Sequence, residues 1–325
     1  MMIKENYSFV STDDVGTKVH GVCWCDGDGY RDYGGEPVAV LQLVHGMIEY
    51  IERYEEFAAY LVDRGFAVTG HDHIGHGHSV GKLCEAEWGI MHCDRCEEVM
   101  VEDMLTNYKL TRQRYPHVPH FILGHSMGSY LLRMFLAEKA NEIRDLKGAM
   151  ILGTGTVPDP MLHLADLIIR TASLIRGRDY KSPLVTGILF SGDYRKFDMD
   201  GSNPKNSWLS TNVESVKRYY KDPMNTYLFS LNGLHGNVRM IYHGNQIRNI
   251  RKIRRDLPVL FASGSDDPVG SLGKGVKKVY RKFQKAGLFN LTLKLYEGDR
   301  HEILQELDRD RVFEELYLWM KAQME

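Results

Sequence analysis

The sequence lacks any apolar run approaching the roughly twenty residues that a membrane-spanning helix requires, so no transmembrane segment is expected. It also lacks an excess of charge. With 41 Lys and Arg against 43 Asp and Glu, the net charge is -2, which gives no basic field for binding nucleic acid. The opening residues Met1-Met2-Ile3-Lys4-Glu5-Asn6 do not carry the long apolar core of a secretory signal, and a cytoplasmic protein is expected. Cysteine is scarce, with five in all, and an odd number in such a chain points to reduced thiols. Cys93 and Cys96 form a lone C-x-x-C without a second ligand pair, so neither a zinc site nor a redox motif is expected there. Internal repeats and low-complexity tracts are missing as well. What remains is an ordinary globular composition, 43% hydrophobic and 26% charged, long enough to bury a sizeable core.

The most informative stretch is Phe121-Ile122-Leu123-Gly124-His125-Ser126-Met127-Gly128-Ser129. A short apolar run after Pro119 suits a central strand, and the residues from Tyr130 to Ala137 continue at helical spacing without a breaker. Gly124, Ser126 and Gly128 spell G-x-S-x-G at the junction, where a strand must turn abruptly into a helix. The flanking glycines admit close backbone, and the helix behind the serine offers unpaired N-H groups at its positive end. The amide of Met127 is therefore one expected oxyanion donor.

Around this elbow the chain alternates strand and helix. Tyr7 to Val10 and Val19 to Cys25 read as a paired antiparallel edge, Val38 to Val44 as a strand covered on both faces, Glu52 to Arg64 as a helix, and Phe66 to Gly70 as the next strand. A long helix from about Cys96 to Tyr115 precedes the elbow, and Ala149 to Leu152 forms a further strand. Alternation resumes with strand Pro258 to Ser263, a helix from about Lys274 to Ala286, strand Leu291 to Tyr296 and a final helix from about Ile303 to Met320. This pattern implies an α/β fold with a mostly parallel central sheet, helices on both faces, and ligands at the carboxyl ends of the strands. Regularity lapses between, so the expected organisation is a core of residues 1–156 and 251–325 with a helical cap inserted at 157–250. Its first helix carries Met161, Leu162, Leu164, Leu167, Ile168, Ile169, Leu174 and Ile175, apolar on more than one face, and most are expected to pack in the core. The basic run Arg248, Arg251, Lys252, Arg254 and Arg255 reads as a solvated helix face.

A serine hydroxyl needs an imidazole to take its proton and a carboxylate to orient that imidazole. The strand ending at Ser263 runs into a loop with Asp266 and Asp267, of which Asp267 is favoured; the strand ending at Tyr296 runs into a loop with His301. Ser, Asp and His thus stand at three strand ends in the chain order of α/β-hydrolases. The second oxyanion donor is expected from the loop after Val44, at the amide of Met47. The histidines of His71-Asp72-His73-Ile74-Gly75-His76-Gly77-His78 are expected to hydrogen-bond backbone and brace the rim, and no catalytic metal is expected.

From about Gly16 to Trp319 the chain resembles the monoacylglycerol lipase, lysophospholipase and serine aminopeptidase-like branch of the α/β-hydrolases. The likeness rests on His45-Gly46-Met47-Ile48-Glu49, Arg53-Tyr54, Asp72-His73-Ile74-Gly75-His76-Gly77, Gly124-His125-Ser126-Met127-Gly128, Gly264-Ser265-Asp266-Asp267-Pro268-Val269-Gly270 and Tyr296-Glu297-Gly298-Asp299-Arg300-His301-Glu302. It implies Ser126 as nucleophile, Asp267 as orienting acid, His301 as base, the amides of Met47 and Met127 as oxyanion hole, a helical cap and no cofactor. The chain departs from the usual pattern at Tyr50, where relatives commonly have histidine, and at His78, where they often have arginine or glutamine. The expected substrate is a small carboxylic ester with an apolar acyl chain, with transient membrane-surface contact through the cap. An amide- or peptide-cleaving enzyme is the alternative, and a ligand-binding relative without turnover the non-enzymatic one.

Overall fold

The computed structural model describes residues 1–82, 84 and 86–325. Eight strands form one sheet: β1 (Met2–Val10), β2 (Lys18–Asp26), β3 (Ala39–Val44), β4 (Phe66–His71), β5 (His120–His125), β6 (Gly148–Leu152), β7 (Val259–Gly264) and β8 (Leu291–Tyr296). Their order across the sheet is β1-β2-β4-β3-β5-β6-β7-β8. β1 and β2 pair antiparallel, β2 meets β4 antiparallel, and every pair from β4 through β3 to β8 is parallel. The antiparallel edge expected from the sequence is present, with β1 reaching back to Met2.

Alternate residues of the central strands feed two cores, as the period-two geometry of a strand requires. Leu41, Phe121, Leu123, Met150 and Leu152 pack with α1 (Glu55–Val62) and α10 (Arg309–Ala322), whose Phe57 and Phe313 rings lie 4.9 Å apart. Ile122, Ile151 and Phe261 face the other way, toward α2 (Cys96–Arg114), α3 (Met127–Glu138) and α9 (Lys274–Ala286). Each such apolar side chain, fully buried, contributes about 1.5–3 kcal/mol. Covered on both faces, β3 through β7 hold every residue buried, whereas the edge strand β8 alternates. α/β layering with helices on both faces follows from the alternation read in the sequence.

Between β6 and β7 lie α4 (Asp159–Arg176), α5 (Pro183–Leu189), α6 (Val213–Lys221), α7 (Leu231–Asn245) and the short α8 (Ile247–Ile250). Here one expectation fails. Only Leu162 and Ile169 of α4 are buried, while Met161, Leu164, Leu167, Leu174 and Ile175 are 57–89% exposed. α4 rests mainly on α7, with a lesser contact to α5, so one stripe is covered and the remaining apolar residues face outward. Two boundaries also move. A single 3-10 turn, Ile51–Tyr54, precedes α1, and α10 begins at Arg309 because residues 302–308 form turns that aim Glu302 and Glu306 inward. No helix of the described residues is long and apolar enough to cross a membrane.

Candidate active site

β5 delivers Ser126 to the carboxyl edge of the sheet in a conformation that few side-chain-bearing residues adopt, φ 55° and ψ -122°. Such geometry costs about 1–3 kcal/mol and persists only when its surroundings over-determine it. They do so here. The Ser126 amide donates to the Leu152 carbonyl of β6 at 3.0 Å, and its carbonyl accepts from the Ser129 amide at 2.9 Å. A Cβ at Gly124 would stand 2.4 Å from the Gly128 carbonyl oxygen, and one at Gly128 would stand 2.2 Å from that of Val44. Only glycines permit the strand, the turn and the helix to close this far.

Asp267 and His301 lie on the turns after β7 and β8, 0% and 2% exposed. His301 Nδ1 is 3.1 Å from Asp267 Oδ1. The same carboxylate accepts from the Val269 amide and the Ser263 hydroxyl, each at 2.8 Å, so its orientation is set from three sides. Burial alone would push the Asp267 carboxyl up; the adjacent imidazole and these hydrogen bonds bring it below the usual carboxylate range. An ionised Asp267 accepts from Nδ1-H and leaves the Nε2 lone pair free to take a proton. Asp266 is exposed and bonded to Ser265. Gly153, next to Leu152, brings the chain after β6 against His301: a Cβ there would lie 3.0 Å from His301 Cε1. No hydrogen bond joins Ser126 Oγ to His301 among the described residues, and catalytic contacts of this kind commonly tighten only as the reaction proceeds.

The loop after β3 closes on the serine from the other side, where a Cβ on Gly46 would stand 3.0 Å from Ser126 Cβ. Met47 follows at once, and Met127 opens α3. Behind the loop sits a network to which sequence reasoning gave no role, although its members stand in the motifs. Glu49 accepts from the Gly46 amide, from Tyr54 Oη at 3.0 Å and from Arg53 at 2.7 Å, and is hydrogen-bonded to His125 Nδ1 at 3.3 Å. Arg53 also forms a two-pronged bridge to Glu302 at 2.7 and 2.9 Å, and His125 Nε2 lies 3.2 Å from the His301 carbonyl. Burial opposes charge on each, yet mutual attraction prevails: Glu49 is held well below the usual carboxylate range, and His125 is raised. The elbow at Ser126, the His301 loop and the loop after β3 thus share one buried scaffold.

The segment between β6 and β7 covers this edge with aromatic rings. Trp208 stacks on His301 at 5.0 Å, Tyr194 meets Trp208 at 5.7 Å, and Phe190 meets Tyr194 at 5.5 Å. Tyr219 Oη donates to the Ile48 carbonyl at 2.9 Å, and Tyr50 Oη to Asp222 at 2.8 Å, so the departure at Tyr50 joins the loop after β3 to this segment.

His45, His71, His73 and His76 are buried, and burial lowers each of them below the usual imidazole range. His73 contacts the His45 carbonyl at 3.2 Å and His76 the Ile74 carbonyl at 3.0 Å. His71 differs from expectation: neither ring nitrogen has a partner among the described residues, and the ring packs edge-on against Phe9 and His73. Burial holds His45 and His71 at about 3 and His76 at about 4. All five cysteines are free thiols, and burial pushes Cys93 up to about 12.

The family model described as serine aminopeptidase, S33 matches residues 35–308. Monoglyceride lipase of Rattus norvegicus is 26% identical over 299 residues, 90% of this chain and 85% of the relative. Monoacylglycerol lipase of Mycolicibacterium smegmatis is 25% identical over 292 residues, 89% and 90% respectively. Among solved structures, a thermostable carboxyl esterase from Bacillus coagulans superposes with a TM-score of 0.86 at 25% identity, covering all of both chains.

Proposed function

Since the chain belongs to the α/β-hydrolases, in the serine aminopeptidase S33 family and its monoacylglycerol lipase branch, we propose that it is a serine hydrolase that cleaves carboxylic esters of apolar acyl chains through an acyl-enzyme. The observation that carries this reading is the meeting of three strand ends: a strained serine on β5, a buried carboxylate after β7, and an imidazole after β8 hydrogen-bonded to that carboxylate.

In this mechanism His301 Nε2 takes the Ser126 proton as Oγ attacks the ester carbonyl carbon. The carbonyl oxygen gains negative charge and is met by the amides of Met47 and Met127, with the α3 N-terminus adding its positive end. Asp267 stays ionised, holds the tautomer and stabilises the imidazolium. His301 then returns the proton to the departing alkoxide, and the alcohol leaves. Water, deprotonated by His301, attacks the acyl carbon; the bond to Oγ breaks, and the proton regenerates the serine hydroxyl. The helical insertion acts as a cap, and Phe190, Tyr194 and Trp208 give it an apolar wall leading to the base. That wall favours a monoacylglycerol or lysophospholipid over an aminoacyl amide. The acidic groups around the base also disfavour the amide, because Glu49 and Glu302 are both bound to Arg53 and are not free to hold a substrate amine.

The test is competitive fluorophosphonate labelling of the purified protein and its Ser126→Ala variant, against glycerol esters of rising chain length and aminoacyl amides. Labelling of the wild type alone, with protection by long-chain glycerol esters, is the expected result. Protection by amides alone would replace the lipase reading with the peptidase one, and no labelling of folded protein would leave a ligand-binding relative.

A further inference from the structure

Away from the serine, at the corner where β2 begins and the chain leaves β4, four side chains of metal-binding type approach one another from three segments: His20 of β2, Glu52 after β3, and Asp72 and His78 of the loop after β4. His20 Nε2, the Glu52 carboxylate and the Asp72 carboxylate offer donor atoms all within 4.8 Å of one another. His20 Nε2 stands 3.8 Å from Glu52 Oε1, and His78 Nε2 stands 3.7 Å from Glu52 Oε2. These separations exceed a hydrogen bond. They are also within about half an ångström of the spacing between donors of a tetrahedral ion, about 3.3 Å for bonds of about 2.0–2.1 Å, while His20, Glu52 and Asp72, spaced by up to 4.8 Å, and His78, outside that group, must draw in further for all four to reach one ion.

Two further features favour an ion over an ordinary polar corner. His20 Nε2 and Glu52 Oε2 are shielded from solvent, and neither has a hydrogen-bond partner; a native fold rarely leaves such atoms unmatched. The ligands are also pre-set. Asp72 accepts from the Ile51 amide and the His78 amide, both at 2.8 Å, which ties the carboxylate to the residues beside Glu52 and His78, and its amide donates to the His20 carbonyl at 2.9 Å. Each carboxylate oxygen retains a second lone pair for a metal. The His20 and His78 rings meet edge to face with centroids 4.9 Å apart, and His78, 37% exposed, opens the corner to water.

We propose that His20, Glu52, Asp72 and His78 form a structural site for a divalent transition-metal ion of the zinc class. Two imidazoles and two carboxylates suit such an ion better than calcium or magnesium, which prefer oxygen alone. Bound there, the ion pins β2, the strand next to the edge, to the loops after β3 and β4. Lys4 is its competitor: Nζ lies 3.6 Å from Glu52 and 3.6 Å from Glu55, so it can retire to Glu55 when an ion enters. The site takes Asp72 and His78 from the histidine-rich loop, while the loop's inner histidines stay outside it.

The test is calorimetric titration of zinc chloride into the chelator-stripped, dialysed full chain, with thermal unfolding followed in parallel. One ion per chain is expected at micromolar dissociation constant or tighter, with a rise in unfolding temperature. His20→Ala and Glu52→Gln should each weaken binding at least tenfold while unfolding without zinc as the wild type does. Lys4→Met should strengthen it, and Cys84→Ser, which removes the exposed thiol, should leave it unchanged. Binding that survives both His20→Ala and Glu52→Gln, binding that vanishes with Cys84→Ser, or no binding below millimolar zinc would each overturn the proposal.

Discussion

Ser126 carries two loads that substitution can separate, one chemical and one conformational. Its Oγ has no hydrogen-bond partner among the described residues, so Ser126→Ala removes the hydroxyl at a stability cost within about 0.5 kcal/mol. Ser126→Gly removes the hydroxyl and the Cβ. At φ 55° and ψ -122°, that releases about 1–3 kcal/mol of backbone strain, offset by about 0.5–1 kcal/mol of extra freedom in the unfolded chain. The glycine variant should therefore be more stable than the alanine variant by about 0.5–2 kcal/mol, or about 1–3 °C in unfolding temperature for a chain of this size. Both variants should lose turnover by about a million-fold, because without the nucleophile the remaining groups cannot form the acyl-enzyme. Differential scanning calorimetry and intact-mass detection of the fluorophosphonate adduct read the two effects independently. A glycine variant less stable than the alanine variant would refute the strain argument, and an adduct on either would refute the nucleophile assignment.

Asp267→Asn should lower kcat by about 10³–10⁴, whereas Asp266→Asn, on an exposed side chain, should change it less than twofold; steady-state kinetics on a soluble ester decides, and the reverse order would move the orienting acid by one residue. Glu49→Gln should destabilise by about 3 kcal/mol, since it leaves Arg53 and His125 buried without their shared partner, and urea unfolding measures it. That loss should depend on pH. Glu49 is lowered from 4.5 on folding, so its contribution is complete above 4.5 and fades as pH falls toward its folded value; His125 is raised from 6.5, so its contribution is complete below 6.5 and fades as pH rises through its folded value. The wild-type advantage over Glu49→Gln should peak between pH 4.5 and 6.5, and a difference flat from pH 3 to 9 would contradict the network. Leu174→Glu combined with Ile175→Glu should leave stability unchanged but reduce hydrolysis of micellar long-chain esters relative to soluble short ones, because both side chains are exposed on α4.

The parts of the site legible in the sequence are those set by strand ends. Ser126, the Asp266-Asp267 pair and His301 each follow an apolar run long enough to read as a strand, and the sheet brings such ends to one edge whatever the intervening loops do. The Glu49, Arg53, His125 and Glu302 network was not legible, because its partners stand as much as 249 positions apart in the chain and a side chain's partner across such a distance leaves no local pattern. Hydrophobic periodicity misjudged α4 for a related reason: it reports that a face is apolar, not that anything covers it. Trp208 was missed outright, since an isolated tryptophan in an irregular stretch carries no signal that it will lie against the base.

Residues 149–152 pair directly with 259–262, so the chain leaves the sheet after β6 and returns to the adjoining strand. Because the two strands run parallel, the excursion leaves at the carboxyl end of β6 and re-enters at the amino end of β7, so the sheet fixes both of its ends, on neighbouring strands but at opposite edges. Any segment that makes the same crossing could replace it without disturbing the register that sets Ser126, Asp267 and His301. On the function proposed above, choice of substrate and capacity for chemistry are written in separable stretches of the same chain, and a graft between β6 and β7 is expected to exchange the former while inheriting the latter.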